Sequence, residues 1–591
     1  MFNDHKKILN IFKYFVTNFK SYLLVFSLVL IFEIIIGLFL ILSIAPMADY
    51  LLDNTLANPN RITKIFLSLL NNFNIQPSFW SLSIFFVISN FIKAAIDIFT
   101  RYISYKIKYD VYEKISSETL EAVLNANWNF FNKSNHGKLL NSLQKESGNI
   151  SDTLSQMCYQ ISFCVQLILY LSIPLWLNTE MTLIAIVFAT IFISPFLLTN
   201  KISFNLGKKN TVTANIMVDK LSEILFNCKL IISHNMQSNS VKEYKKSIQD
   251  HTKASIKSQL FINSCATFYQ PFSYLATIIA VGYGISESVS LTETTSVLWA
   301  LMRAMPLLSK MLQSNLNISS LIPSFEQLNK INNDAKQTYV KNDGIILKKI
   351  LHNITFKNIN FSFSSDKKHF SNLSFSIQAN KINALVGHSG SGKTTIIDLI
   401  LGLYKQDSGD ILFDNNTNDN INIKKFRNIV GYVPQEPMLF NGSIRENLIW
   451  LNRNITETDL MKACKTANIL EFIKQLPNGF ETKVGDIGGN LSGGQKQRLT
   501  IARALIRKPS LLIFDEATSA LDIESENLII DSFKQISQKC TILTIAHRIK
   551  TLKQANSILV LKKGKVMGQD TFDKLIKTKN KTFLKLLNYD T

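Results

Sequence analysis

The sequence predicts a multidomain membrane protein: an all-α six-helix transmembrane domain followed by an α/β P-loop domain. Three observations carry that prediction. Apolar stretches long enough to cross a bilayer recur through the first half. Lys-rich segments between them fall on one side throughout, at 1–20, 101–156 and 200–258. The second half alternates apolar strands with helical segments around a complete G-x-x-x-x-G-K-[ST] loop, Gly387 to Thr394.

Composition agrees. The 591 residues suffice for several domains. A 46% hydrophobic content with 40 Phe conflicts with a net charge of +21 in a single soluble domain, but suits a membrane half joined to a soluble half. The basic excess then marks cytoplasmic loops that meet anionic lipid. No basic run is interleaved with aromatics as a nucleic-acid groove requires, so no nucleic-acid partner is expected. The cysteines Cys158, Cys164, Cys228, Cys265, Cys464 and Cys540 form no C-x-x-C pair or zinc spacing, and all are read as packing residues.

Taken in order, residues 1–20 carry Lys6, Lys7, Lys13 and Lys20 among Phe and Ile, an amphipathic lead-in on the cytoplasmic side. It is not read as a cleavable signal, because the apolar stretch after it is too long and lacks a small-residue cleavage site. Spans are expected near 22–45, 79–99, 157–176, 181–198, 261–284 and 291–312. Pro46 ends the first, and 47–78 reads as an outside loop. The second continues past Arg101 through Tyr105, Tyr109 and Tyr112 without a breaker, so its helix should run on into the cytosol. The turn between the third and fourth is very short. The membrane domain is placed at 1–325, a polar linker at 326–353 and the soluble domain at 354–588.

Four ionisable residues within the spans stand out. Lys93 and Asp97 are four apart and can pair on one helix face. Glu33 and Arg303 have no obvious partner on their own helices. They are candidates for a substrate cavity, or for neutralising each other across the bundle.

The phosphate loop is Gly387-His388-Ser389-Gly390-Ser391-Gly392-Lys393-Thr394-Thr395. Ile382 to Val386 before it read as a buried strand and Ile396 to Leu401 after it as a helix. Glycines there let backbone N–H groups converge on phosphate oxygens at a helix N-terminus. Lys393 would reach the β- and γ-phosphates of ATP and the Thr394 hydroxyl would hold Mg²⁺. Leu511 to Phe514 form an apolar strand that ends in Asp515 and Glu516. Asp515 is placed for Mg²⁺ and Glu516 to polarise the attacking water. Ser492-Gly493-Gly494-Gln495 opens a further helix, a second anion site. Two copies facing head to tail would let the loop of one and the Ser-Gly-Gly-Gln of the other share each nucleotide.

Leu491 to Gln495, together with the two Walker-type motifs, resembles the ATP-binding cassette transporter family, and the six-span layout resembles its exporter half-transporters, such as bacterial lipid flippases and multidrug exporters. The resemblance implies a cassette ATPase and further roles. Gln435, in Gly431-Tyr432-Val433-Pro434-Gln435, matches the loop glutamine that contacts Mg²⁺. His547 matches the switch histidine at the γ-phosphate, and Asp522 the loop that couples the two sites. Phe363 stands where the family stacks a Tyr on adenine, and keeps the π-face. Residues near 125–137 and 213–225 would form coupling helices. Where these exporters carry Val-Gly-Glu-Arg-Gly, this chain has Val484-Gly485-Asp486-Ile487-Gly488, which removes the Arg. The function so implied is ATP-driven export or flipping of a lipid-like, peptide or amphipathic substrate across a bacterial inner membrane by a homodimer, with both termini and the ATPase domain cytoplasmic. The alternatives are a peptide-specific exporter and an ATP-gated channel or sensor on the same fold.

Overall fold

The computed structural model describes residues 13, 15–17, 19–42, 45–52, 61–72, 76–339, 343–364, 367–485, 488–516, 523–546 and 548–587. Two compact units result. One is Met1–Ala126 with Lys133–Gln337, the other Asn127–Asn132 with Thr338–Thr591.

The long helices of the first unit are α1 (Lys20–Leu42), α2 (Phe79–Asn125), α3 (Ser147–Leu177), α4 (Thr179–Leu197), α5 (Asn200–Phe226), α6 (Gln237–Ser286) and α7 (Leu291–Gln337). By length and composition, four stretches among the described residues can cross a membrane: Lys20–Gly37, Phe79–Asn125, His136–Leu177 and Thr179–Phe196. They overlap the first four expected spans. The fifth and sixth lie as unbroken helix within α6 and α7. These are less apolar because Asn263 and Gln270 stand in the fifth and Glu293, Arg303 and Lys310 in the sixth, while their buried faces carry small and hydroxyl side chains: Ser273, Ala276, Thr277 and Ala280 on α6, and Ala300, Ala304 and Ser309 on α7. Such residues let helices approach closely and bond across the contact. Ser309 donates to the Ala266 carbonyl at 2.7 Å, and the Tyr269 hydroxyl to that of Ala189 at 3.2 Å.

α2 runs about 70 Å at the helical rise, more than twice the hydrocarbon thickness. Ser78 and Ser81 cap its start reciprocally. Between α3 and α4 stands Asn178 alone. Its N–H donates to the Pro174 carbonyl at 2.8 Å while its side chain accepts from the Met181 N–H at 3.0 Å, which ends one helix and begins the next.

Several expectations are corrected. The outside loop at 47–78 contains helices Ala45–Leu52 and Arg61–Asn72, since Phe66 and Leu70 bury against Leu82. α7 continues to Gln337, through residues read from polarity as linker, because Leu328, Ile331 and Ala335 keep helical spacing and are buried. Residues 213–225 belong to α5. The short helix before α6 is Cys228–Ser233, with Leu230 and Ile232 exposed. Cys228 is itself exposed and so is not a packing residue. Between Asn125 and His136 a short helix, Trp128–Lys133, does form.

The second unit holds two sheets. Its strands are β1 (Asn353–Ser364), β2 (Lys367–Gln378), β3 (Ile382–Gly387), β4 (Ser408–Phe413), β5 (Asn416–Thr417), β6 (Val430–Val433), β7 (Leu511–Phe514), β8 (Thr541–Ile545), β9 (Ser557–Lys562) and β10 (Lys565–Asp570). The smaller sheet has order β2-β1-β4-β5, the larger β10-β9-β3-β8-β7-β6. β3, β7 and β8 are buried along their whole length, as parallel strands covered on both faces must be. Alternate residues serve two cores. Ala384, Val386, Leu512 and Phe514 face one that includes Leu499 and Ile501. Leu385, Ile513 and Leu543 face the other, with Ile396, Ile397 and Ile400 of helix α8 (Lys393–Ile400) and the Phe residues of the smaller sheet.

Candidate active site

Register brings three motifs to one edge of the larger sheet. Ala384 of β3 and Phe514 of β7 both lie opposite Thr544 of β8, and Val433 of β6 lies opposite Phe514. The parallel strands therefore end level. The loops that follow them carry Gly387–Thr395, Asp515–Glu516 and Gln435 into the crevice where such folds bind ligands.

Lys393 is buried at the start of α8 and donates to the Gly387 carbonyl at 2.8 Å and that of His388 at 3.4 Å. Its ammonium stands 3.8 Å from Glu516 Oε1. Burial pushes it below the ordinary lysine range, against the pull of Glu516 and Asp515. Gln435 donates to Glu516 Oε2 at 3.1 Å. Glu516 has φ 51, in the left-handed region that residues with a Cβ seldom enter. Thr394 is exposed at the loop's mouth; Thr395 is buried, its hydroxyl 3.2 Å from His369 Nε2.

Polyphosphate and a divalent cation fit these residues. Asp515 Oδ1 is buried with no hydrogen-bond partner among the described residues, an acceptor that a cation satisfies. Burial and then the Glu516 charge push its carboxyl above the usual range, so a positive ligand is favoured there. Gly390 has φ 76 and faces open space, whereas at Gly392, φ 104, a Cβ would strike the Phe370 ring at 2.5 Å. The chain can thus approach a phosphate closely at the first and must have glycine at the second. Phe363 is 50% exposed, its ring held edge-on by His369 and Tyr404 at 5.2 and 5.4 Å.

Ser492 caps helix α9 (Gly493–Ile506). Its hydroxyl accepts from the Gln495 N–H at 3.3 Å, and Gln495 Oε1 accepts from the Ser492 N–H at 2.9 Å. Past Gly493 a Cβ would meet nothing within 4 Å, so this helix end is open to an anion. His547, Asp522, Asp486 and Ile487 lie outside the described residues.

Sequence reasoning missed three neighbours of the site. Tyr432 donates to Asp515 Oδ2 at 3.4 Å. Asp398 on α8 is pushed up to about 6 by burial and by Asp515. A lone acid among Ile396, Ile397, Leu399 and Ile400 was the available signal. Tyr404, beside Phe363, accepts from the Asn132 side-chain amide of the short helix Trp128–Lys133.

Comparison with known proteins decides the family. Residues 23–305 match the ABC transporter transmembrane region and 370–519 the ABC transporter domain. A "Putative export ATP-binding/permease protein" of Rickettsia bellii is 31% identical over 79% of this chain and 83% of its own length. The chain belongs to the ABC transporter family. "Heterocyst differentiation ATP-binding protein HepA" of Nostoc sp. is 26% identical over 85% of this chain and 83% of its own. A bacterial Atm1-family ABC exporter solved with ATP bound superposes with a TM-score of 0.82 at 20% identity, over 97% of this chain and 99% of that one, and shares the fold. The protein is an exporter-type half-transporter, a multi-pass membrane protein with an ATPase domain coupled to transport, and the expected fold class is borne out.

In the transporter's membrane unit, Glu33 of α1 is buried and accepts from Ser162 Oγ of α3 at 2.9 Å and from the Gln166 amide. Lys93 of α2 stands 3.4 Å from Glu33 Oε1 and also pairs with Asp97. All line a cavity of about 480 Å³. Arg303 does not line it. Its exposed guanidinium lies 4.9 Å over the Trp299 ring, two turns from Lys310, a residue of α7 that does face the cavity. Of the two readings of Glu33 and Arg303, the shared cavity lining holds for Glu33 alone, and mutual neutralisation gives way to a Glu33–Lys93 pair, because α2 and α3, not α7, supply the groups beside Glu33.

Proposed function

We propose that this transporter exports a lipid-like, peptide or other amphipathic substrate across a bacterial inner membrane as a homodimer, with its ATPase domains cytoplasmic. The observation that carries the ATP chemistry is the meeting of Lys393, Asp515, Glu516 and Gln435 at one sheet edge. Lys393 and the N–H groups of Gly390–Thr395 bind the β- and γ-phosphates. Thr394, Gln435 and Asp515 hold Mg²⁺, which when bound neutralises phosphate charge. Glu516 orients the attacking water and takes its proton, His547 steadies the γ-phosphate, and Phe363 stacks on adenine. Ser492–Gln495 of a second copy completes each site, with Asp522 at the junction. The apolar side chains left exposed around Cys228–Ser233 suit docking on that copy. The test is ATP hydrolysis by the purified transporter in nanodiscs, with monomer and dimer resolved by mass. A monomer that hydrolyses ATP at full rate overturns the shared site, and absence of Mg²⁺-dependent hydrolysis overturns the assignment.

A further inference from the structure

The membrane-unit cavity is unlike an apolar drug pocket. Glu33, Ser162, Gln166, Gln156, Gln313 and Asn317 give its wall amide, hydroxyl and carboxyl groups, and Tyr105, Tyr159 and Phe163 the aromatic surface. Its ionisable groups with fixed charge are Glu33, Asp97, Lys93, Arg101 and Lys310, so cations outnumber carboxylates. The carboxylates are already engaged: Lys93, largely buried, is shared between Glu33 and Asp97. Arg101 and Lys310 are not. Both are exposed toward the cavity, and neither forms a salt bridge among the described residues. Lys310 Nζ lies 5.7 Å from the Phe163 ring, whose neighbour Tyr159 stacks on it at 6.3 Å and 19°. That wall sets an unpaired cation beside a flat aromatic surface.

We infer that this cavity selects substrates bearing an anionic head, a phosphate or carboxylate, held by Arg101 and Lys310. The Glu33–Lys93–Asp97 cluster, with Ser162 and Gln166 satisfying Glu33, forms the rigid polar floor. Lys93 is already neutralised by Glu33 and Asp97, so Arg101 and Lys310 are the cations of the lining left to hold the head. The tail or remaining body of the substrate lies along Tyr159 and Phe163. Arg101 supplies a planar fork that matches either oxyanion, and Lys310 a point charge. The anion is carried either by a lipid headgroup or by a soluble polar molecule. The inference rests on the transporter reading above and narrows its substrate class.

The experiment uses the full-length protein in phosphatidylcholine nanodiscs. ATP hydrolysis is followed while lysophosphatidic acid, a monoacylglycerol of the same chain, or glycerol 3-phosphate is added. Lysophosphatidic acid should stimulate hydrolysis and the uncharged monoacylglycerol should not. Stimulation by glycerol 3-phosphate as well identifies a soluble substrate, and its failure identifies a lipid one. Arg101→Gln and Lys310→Gln should each raise the half-stimulating concentration about tenfold, since each removes a charge-assisted hydrogen bond. Arg101→Lys should recover part of the loss. On the unmodified protein, added salt should raise the half-stimulating concentration of lysophosphatidic acid, because the cations are water-accessible. Equal stimulation by monoacylglycerol, or an unchanged half-stimulating concentration in the double variant, overturns the inference. If the unmodified protein hydrolyses no ATP, the transporter reading fails instead, and calorimetric titration with lysophosphatidic acid still decides whether the cavity takes anions.

Discussion

Gln435 donates a 3.1 Å hydrogen bond to Glu516 Oε2 while Lys393 stands 3.8 Å from Oε1. The carboxylate that closes β7 is thus held from the loop after β6 and from the start of the helix after β3. Its backbone is left-handed, φ 51. Segments that follow three strands far apart in the sequence, β3, β6 and β7, thus converge on one acid.

Glu516→Gln keeps the shape and the contact with Gln435 but cannot take a proton from water. Turnover should fall by roughly 10²–10⁴, the usual contribution of a positioned general base, while nucleotide still binds. Hydrolysis in nanodiscs and binding of a fluorescent ATP analogue separate the two effects. Turnover at the unmodified rate would remove Glu516 from its role.

Lys393→Ala should weaken nucleotide binding itself by about tenfold or more, since a charged donor to phosphate is lost. The same change removes the ammonium beside Glu516, so a compensating rise in affinity is not expected. Equal affinity in the variant and its parent, read by equilibrium binding, would count against the phosphate-loop assignment.

Much of the ATPase unit is legible in the sequence because its motifs are local. Gly387–Thr395 specifies its own strand, loop and helix, and Leu511–Glu516 is a strand whose polarity changes abruptly at its end. Ser492 and Gln495 announce their cap by spacing alone. Relations between helices are not legible in this way. Spacing on α2 reveals that Lys93 meets Asp97, but only packing shows that Glu33 sits within 3.4 Å of the same ammonium. Arg303 looks equivalent to Glu33 by depth, yet it rests on Trp299 of its own helix. The extension of α7 to Gln337 is hidden by polar composition, although Leu328, Ile331 and Ala335 carry the period. Asp398 shows in the sequence only as a lone acid among apolar neighbours; its raised carboxyl comes from burial and from Asp515, which only the folded structure brings beside it.

Asp398 supplies a pH prediction. Its carboxyl is pushed from 3.8 to about 6 by burial and by Asp515, so the folded protein holds the proton more tightly than the unfolded chain. Stability contributed by this group should therefore fall as pH rises from about 4 to about 6 and stay level above that. Asp398→Asn removes the dependence. Above pH 6 the variant should be more stable by roughly 1–2 kcal/mol, a figure reduced from the full shift because the side chain is only partly buried. Melting curves across this pH range check it, and parallel curves for both proteins would refute it.

The last prediction separates two pairings of Glu33. Removing one partner of a buried ion pair leaves a charge without compensation, at a cost of about 3–5 kcal/mol. Lys93 is the nearer partner, but it is also bound to Asp97, so its loss should hurt more than the loss of Glu33, whose remaining neighbours Ser162 and Gln166 are neutral donors. Glu33→Gln should thus be the milder single change and Lys93→Met the more severe. The double variant should be more stable than the sum of the two implies, since the amide that replaces the Glu33 carboxylate no longer needs a cation; the coupling should fall in the range of about 0.5–3 kcal/mol found for touching groups. Glu33→Gln combined with Arg303→Gln should be additive within about 0.5 kcal/mol, because Arg303 rests on Trp299 and shares no bond with Glu33. Thermal unfolding of the four proteins in each cycle gives both coupling energies. A larger coupling to Arg303 than to Lys93 would restore the pairing across the bundle that the positions of Ser162, Gln166 and Lys93 argue against.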